Sequence, residues 1–215
     1  MSLDLNIANI RKDYSLESLS EAEVAGSPMQ QFDKWWSEAL KSEIVELNAM
    51  TLATSGNNGK PDARIVLLKG FSEKGFMFFT NYQSRKAKEL SENPFACLVI
   101  FWKELERQVR IEGAISKVSE TESNEYFSQR PVKSQISAWS SPQSEVVENR
   151  ALLENNVKKY ELKFADGNIP RPPHWGGYIL SPAVIEFWQG RRNRLHDRIR
   201  YSSDGGNWVI ERLAP

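Results

Sequence analysis

The sequence predicts an α+β fold in which an antiparallel sheet closes into a barrel with helices flanking it. Three observations predict it. Apolar runs of strand length crowd residues 49–118, separated by turns and one short helix. Apolar residues at helical spacing mark segments before and after that stretch. Strand patterns then return beyond the prolines at 170, 172 and 173. There is no repeat, linker or low-complexity segment. Residues 28–215 are therefore expected to form a single domain, preceded over residues 1–27 by a mobile polar arm.

Each element has its own signal. Ser27-Pro28-Met29-Gln30 is a helix start: Ser caps, Pro suits the first helical position, and Gln completes a capping box. Phe32, Trp36, Leu40, Ile44 and Leu47 follow at helical spacing, so the helix is expected over about residues 28–47. Residues 49–54 and 63–69 read as strands joined by the turn Gly56-Asn57-Asn58-Gly59. Phe76–Thr80, Phe95–Trp102 and Arg107–Val118 continue the sheet, with a short helix from Lys86 to Leu90. Ser119 and Glu122 form a second capping box, opening a helix that runs to about Gln129 and is ended by Pro131. Val146, Leu153, Val157, Tyr160 and Phe164 mark a longer helix, stopped near Gly167. Gly177–Leu180, Val184–Trp188, Asp197–Tyr201 and Trp208–Arg212 are the closing strands, the last two joined by the turn Asp204-Gly205-Gly206-Asn207.

Composition excludes several classes. A chain of 215 residues buries a real core, and its 40% hydrophobic content is too high for a disordered chain. Lys plus Arg equals Asp plus Glu at 28 each, which argues against a general nucleic-acid binder. The single Cys97 forms neither an internal disulfide nor a cysteine-based zinc site, and no His, Cys or carboxylate spacing suits a metal. The longest apolar run, Phe95–Trp102, is far too short to cross a bilayer, and the first residues lack the pattern of a signal peptide. A cytoplasmic protein is expected. Neither a glycine-rich dinucleotide loop nor a Walker motif is present.

The neutral total hides four basic clusters. Arg64 and Lys69 end an apolar strand and point to opposite faces if it is regular; they are either solvated strand ends or contacts to ligands. Arg85 and Lys86 sit in a first helical turn, where their charge has the wrong sign for the helix dipole. A bound anion cancels that cost, and the backbone N–H groups with Thr80 and Ser84 supply donors, so a phosphate is expected there rather than an exposed basic turn. Tyr126 and Arg130 are four apart on one helix face, with Lys133 and Ser134 just beyond; they suit either a second phosphate or an Arg answering the helix C-terminus. The fourth cluster, Trp188 to Arg198, holds four Arg and His196. Arg194 and His196 share a face if that segment is extended.

These motifs resemble one family. Arg64-Ile-Val-Leu-Leu-Lys69, Phe79-Thr-Asn81 with Ser84-Arg-Lys86, Leu105-Glu-Arg-Gln-Val109, Glu186-Phe-Trp-Gln-Gly190 and Asn193-Arg-Leu-His-Asp-Arg198 are similar to those of pyridoxine (pyridoxamine) 5′-phosphate oxidases, as is the closing Glu211-Arg-Leu-Ala-Pro215. The resemblance runs from about Arg11 to the end. It implies a Greek-key-like split β-barrel that binds FMN as a homodimer, with sites at the interface built from both chains. It assigns Arg64, Ile65, Val66, Leu67, Leu68, Lys69, Phe79, Thr80, Arg85, Lys86, Gln108, Gln143, Ser144, Trp188 and Arg198 to FMN. It assigns Lys69, Tyr126, Arg130 and Ser134 to the substrate phosphate, and Arg194, Leu195 and His196 to the substrate, with Arg194 and His196 at the chemistry. Arg11, Lys12, Asp13 and Tyr14 would fold over the substrate as a lid. Phe79 stands where the family often has Tyr, so a hydroxyl contact is lost there. Arg191 and Arg192 replace small or polar residues.

The implied reaction is oxidation of pyridoxine 5′-phosphate or pyridoxamine 5′-phosphate to pyridoxal 5′-phosphate, with FMN taking a hydride and oxygen reoxidising it to give hydrogen peroxide. Two other readings share the flavin motifs: a split-barrel reductase using a nicotinamide donor, and a non-catalytic flavin or pyridoxal-phosphate carrier. The joint presence of Tyr126, Arg130, Ser134, Arg194 and His196 counts against the reductase.

Overall fold

The structure is a computed structural model describing residues 13–215. Its helices are α1 (Pro28–Leu40), α2 (Arg85–Glu92), α3 (Glu120–Ser128), α4 (Val132–Ser140) and α5 (Arg150–Lys163). Its strands are β1 (Ala49–Ser55), β2 (Pro61–Leu67), β3 (Gly70–Ser72), β4 (Gly75–Asn81), β5 (Phe95–Trp102), β6 (Arg107–Lys117), β7 (Trp175–Gln189), β8 (Asp197–Asp204) and β9 (Asn207–Arg212). Neighbouring strands follow the order β2-β1-β5-β6-β7-β4-β3, with β8 also on β7 and β9 on β8. The β1–β2, β3–β4, β4–β7, β7–β8 and β8–β9 pairings are antiparallel.

The chain divides into two compact units. The first takes residues up to Leu47, Val99–Ile111 and Ala183–Pro215. Its core is aromatic: Phe32, Trp35, Trp102, Phe187 and Tyr201 are buried, and Phe187 meets both Trp35 and Tyr201 edge-on. The second takes Asn48–Leu98 and Glu112–Pro182, around buried Met50, Leu52, Phe76, Phe78, Leu98, Phe127 and Leu180.

Local chemistry explains most element ends. Ser27 accepts from Met29 N at 3.2 Å and Pro28 occupies the first turn of α1, as expected. The Gln31 amide takes the Ala25 N–H. The helix stops at Leu40, seven residues before the expected end at about Leu47. Its apolar spacing ran on, but Leu40 and Val45 are exposed, so no core rewards another turn; the Ser42 hydroxyl instead donates to the Glu38 carbonyl. The Ser119–Glu122 capping box is present. Pro131 ends α3's segment and at once opens α4, a helix the sequence reading passed over. The two strands expected at 177–180 and 184–188 are one strand, β7. Pro182 falls where β7 leaves β4, after Leu180, and before it meets β8, at Val184, so its missing N–H costs no bond to either.

Candidate active site

A cavity of about 540 Å³ opens in the second unit, lined by β2, β4, α2, α3 and the segments around them. One end is set by the β4–α2 turn. Asn81 Oδ1 accepts from Gln83 N at 2.7 Å, and Ser84 Oγ donates to Asn81 O at 2.7 Å. The turn so pinned gathers Thr80, Ser84 and Lys86. Lys86 Nζ donates to Gln143 Oε1 (3.1 Å), Thr80 Oγ1 (3.3 Å) and Ser84 Oγ (3.4 Å). The residue is 8% exposed. Burial, and then the charge of Arg64, push its pKa below the ordinary lysine value. Its three direct partners are neutral oxygens, and the carboxylates of Asp62 and Glu89 oppose the shift from further away.

The other end is aromatic and basic. Phe79 stacks on Tyr126 with ring centres 4.0 Å apart and on Trp175 at 5.4 Å. The Arg130 guanidinium lies 4.6 Å from the Trp175 ring centre. Its Nη1 is buried with no hydrogen-bond partner, and burial lowers its pKa. Lys69, Ser134, Gln129 and Pro131 complete this wall. Among the described residues, no group of three or more His, Cys, Asp or Glu could hold a metal ion, and no helix is long and apolar enough to cross a membrane.

The sequence-assigned residues divide clearly. Ile65, Val66, Leu67, Lys69, Phe79, Thr80, Lys86, Gln143, Tyr126, Arg130 and Ser134 line the one cavity. Four flavin candidates of this unit are not in the lining. Leu68 is buried in the core. Arg64 bonds to Asp62 (2.7 Å) and Glu89 (3.2 Å), and Arg85 bonds to the same two carboxylates at 3.0 Å. Burial alone would raise Asp62 and Glu89; their partners, Arg64 and Arg85 on both and Thr54 on Glu89, bring both below the usual carboxylate range. Ser144 is exposed with φ of 72°. Trp175 was missed by sequence reasoning, as were Gln129 and Pro131. Its only signal was a Trp beside Gly176-Gly177, at the start of a strand.

The remaining candidates belong to the first unit. Tyr14 meets Trp188 edge-on at 5.7 Å and His196 at 5.9 Å, and Trp188 and His196 are 4.7 Å apart. The segment before His196 is not extended: Arg192–Arg194 is a 3-10 turn, with Asn193 and Arg194 at positive φ. That turn brings Arg191 N to His196 Nδ1 at 3.0 Å, which makes Nε2 the protonated nitrogen of the neutral ring. Burial, and then Arg194, lower the His196 pKa below 6.5, with Asp197 opposing. Arg194 and Leu195 are exposed. Arg198 bonds to Glu186 at 2.7 Å and to Ala214 O; Gln108 is half-buried on β6. Asp13 is exposed, and Arg11 and Lys12 lie outside the described residues.

Comparison with known proteins decides the family. Residues 36–164 match the family model "Pyridoxamine 5′-phosphate oxidase", and residues 175–215 match "Pyridoxine 5′-phosphate oxidase C-terminal dimerisation region". The chain belongs to the pyridoxine/pyridoxamine 5′-phosphate oxidase family. A relative of that name from Nostoc punctiforme is 57% identical over 214 residues, covering 99% of this chain and 100% of its own. PhzG from Burkholderia lata, solved with tetrahydrophenazine-1-carboxylic acid, superposes with a TM-score of 0.87 at 29% identity, covering 94% of this chain and 100% of its own. A pyridoxamine 5′-phosphate oxidase-related, FMN-binding protein from Nostoc punctiforme shares the fold at a TM-score of 0.69 and 18% identity, covering 89% of this chain and 100% of its own. The antiparallel sheet with flanking helices is thus the family's split barrel, the fold class expected from the sequence.

Proposed function

We propose that the protein is an FMN-dependent oxidase that converts pyridoxine 5′-phosphate or pyridoxamine 5′-phosphate to pyridoxal 5′-phosphate. The observation that carries this reading is a single cavity with two cations, buried Lys86 bonded only to neutral oxygens and Arg130 with an unpartnered Nη1. Two phosphorylated ring compounds, FMN and substrate, match two cations beside an aromatic wall.

The donor set fits FMN. Lys86, Thr80 and Gln143 would hold its phosphate, with Arg64 and Arg85 as charged neighbours, and the chain from Ile65 to Lys69 would lie along it. Gln108, Ser144, Trp188 and Arg198 are assigned to FMN by the family motifs. When bound, FMN supplies the two-electron acceptor that oxygen regenerates with release of hydrogen peroxide.

Lys69, Tyr126, Arg130 and Ser134 would grip the substrate phosphate, two ammonium or guanidinium charges and two hydroxyls on one dianion. Arg194 would orient the substrate ring with Leu195, and neutral His196 would donate through Nε2 to a polar group of the substrate. Tyr14, with Arg11 to Asp13, would exclude water above it. The match to the dimerisation region supports a homodimer, and by the family resemblance its sites would use both chains.

The test is direct. The flavin-loaded protein, given pyridoxine 5′-phosphate without oxygen, should bleach its flavin absorbance; with oxygen it should form peroxide and pyridoxal 5′-phosphate in equal amounts. Bleaching by a nicotinamide donor alone would favour a reductase. Binding without bleaching would favour a carrier.

A further inference from the structure

Building on the oxidase reading, we propose that Glu106 is a positioning residue that docks the N-terminal arm and so sets Tyr14 against Trp188 and His196. All the groups concerned lie in the first unit. Glu106 is 2% exposed, an unusual place for a carboxylate. Its Oε2 accepts from Ser15 N at 2.8 Å and Leu16 N at 3.2 Å, the two N–H groups that follow Tyr14. These are charge-assisted bonds from main-chain N–H groups of the arm.

The same residue holds the other partner of the contact. Glu106 takes a left-handed backbone, φ 55°, and its carbonyl accepts from Gly190 N at 2.7 Å and from the buried Gln189 Nε2 at 3.2 Å. It therefore grips the arm with its side chain and the end of β7 with its main chain. Gly190 makes room for the meeting: a Cβ there would lie 2.7 Å from Tyr14 Cγ and 3.0 Å from Glu106 Cβ. Further bonds run along the arm, from Leu19 N to Asp197 and from Arg191 to Glu17 O. They lie beyond the turn of chain that fixes Tyr14. Glu106 is assigned to neither proposed ligand, and acts through Tyr14.

The experiment compares the flavin-loaded, full-length protein with Glu106→Gln, Tyr14→Ala and the double variant. Hydrogen exchange over residues 14–19 is read beside steady-state kinetics with pyridoxine 5′-phosphate. Glu106→Gln should speed exchange there and raise KM by about tenfold, with kcat changed by less than about twofold. In the Tyr14→Ala background it should raise KM no further. Gly190→Ala should reproduce the same pattern without altering the carboxylate. Unchanged arm exchange in Glu106→Gln, or a KM effect that adds in full to that of Tyr14→Ala, would overturn the proposal. A wild-type protein without turnover, in which Glu106→Gln still speeds arm exchange, would support the docking role and sink the oxidase reading instead.

Discussion

The Arg130 guanidinium lies over the Trp175 ring, 4.6 Å from its centre, while its buried Nη1 has no hydrogen-bond partner. The ring shields one face of the cation and leaves its edge free to bind. Stability and function therefore pull in opposite directions at this residue. Arg130→Met should leave the melting temperature of the ligand-free protein unchanged or raise it slightly, because a half-buried guanidinium with an unpartnered Nη1 is removed. It should weaken binding of pyridoxine 5′-phosphate by about 2–3 kcal/mol. A calorimetric melt and a substrate titration on one preparation check both halves; a clear fall in melting temperature would count against the account.

Lys86 offers a second, separable test. Lys86→Met should lower FMN affinity by about a hundredfold, read from quenching of free flavin fluorescence. On the proposed reading the charged lysine would bind the phosphate, and its pKa is depressed by burial and by Arg64. FMN affinity should accordingly begin to fall with rising pH below the ordinary lysine value of 10.5.

Glu186 is 2% exposed and bonds to Arg198 at 2.7 Å and Arg110 at 3.0 Å. Burial opposes its charge, but the two arginines bring its pKa below 4.5. Its carboxylate is bound more tightly folded than unfolded, so the stabilisation is present above pH 4.5 and is lost as pH falls through the folded pKa. Glu186→Gln should cost roughly 3 kcal/mol in denaturant unfolding at neutral pH and flatten the acid limb of the stability curve.

His196 has the same sign in a higher pH window. Its folded pKa lies below 6.5, so the unfolded chain binds a proton more readily. The neutral ring's contribution is whole above pH 6.5 and is lost as pH falls from there to the folded pKa. An NMR titration of the two histidines should find His196 protonating at a pH below the ordinary value. Protonation removes the Nδ1 acceptor for Arg191 N, so the Arg191 amide resonance should shift with the same midpoint.

Gly113 is a test of the sheet. A Cβ there would lie 2.0 Å from the Ser181 carbonyl oxygen and 2.9 Å from Pro182 Cα, both backbone atoms that cannot swing away. Gly113→Ala should destabilise the protein by about 2–3 kcal/mol.

The sequence carried what is local and periodic. Capping residues placed the starts of α1 and α3, and the alternation of β1 and β2 placed a hairpin whose register is now Leu52 against Arg64. Charge against the helix dipole singled out Arg85 and Lys86, of which Lys86 lines the cavity and Arg85 does not. What it could not carry was the outcome of competition among partners. Nothing in the sequence showed that Asp62, two residues before Arg64, and Glu89, four residues after Arg85, each meet both arginines. Trp175 was silent because stacking on Phe79 depends on the β4–β7 register, which sets Phe79 opposite Gly177. The strands expected at 177–180 and 184–188 are one because β7 exchanges β4 for β8 across the gap between them.

Glu106 holds Ser15 and Leu16 by main-chain N–H groups, which every residue but proline possesses. The grip is therefore blind to side-chain identity at both positions. Mutation there should be freely accepted over evolutionary time, with proline alone refused, while Tyr14 on one side and Glu106 on the other are held to their chemistry.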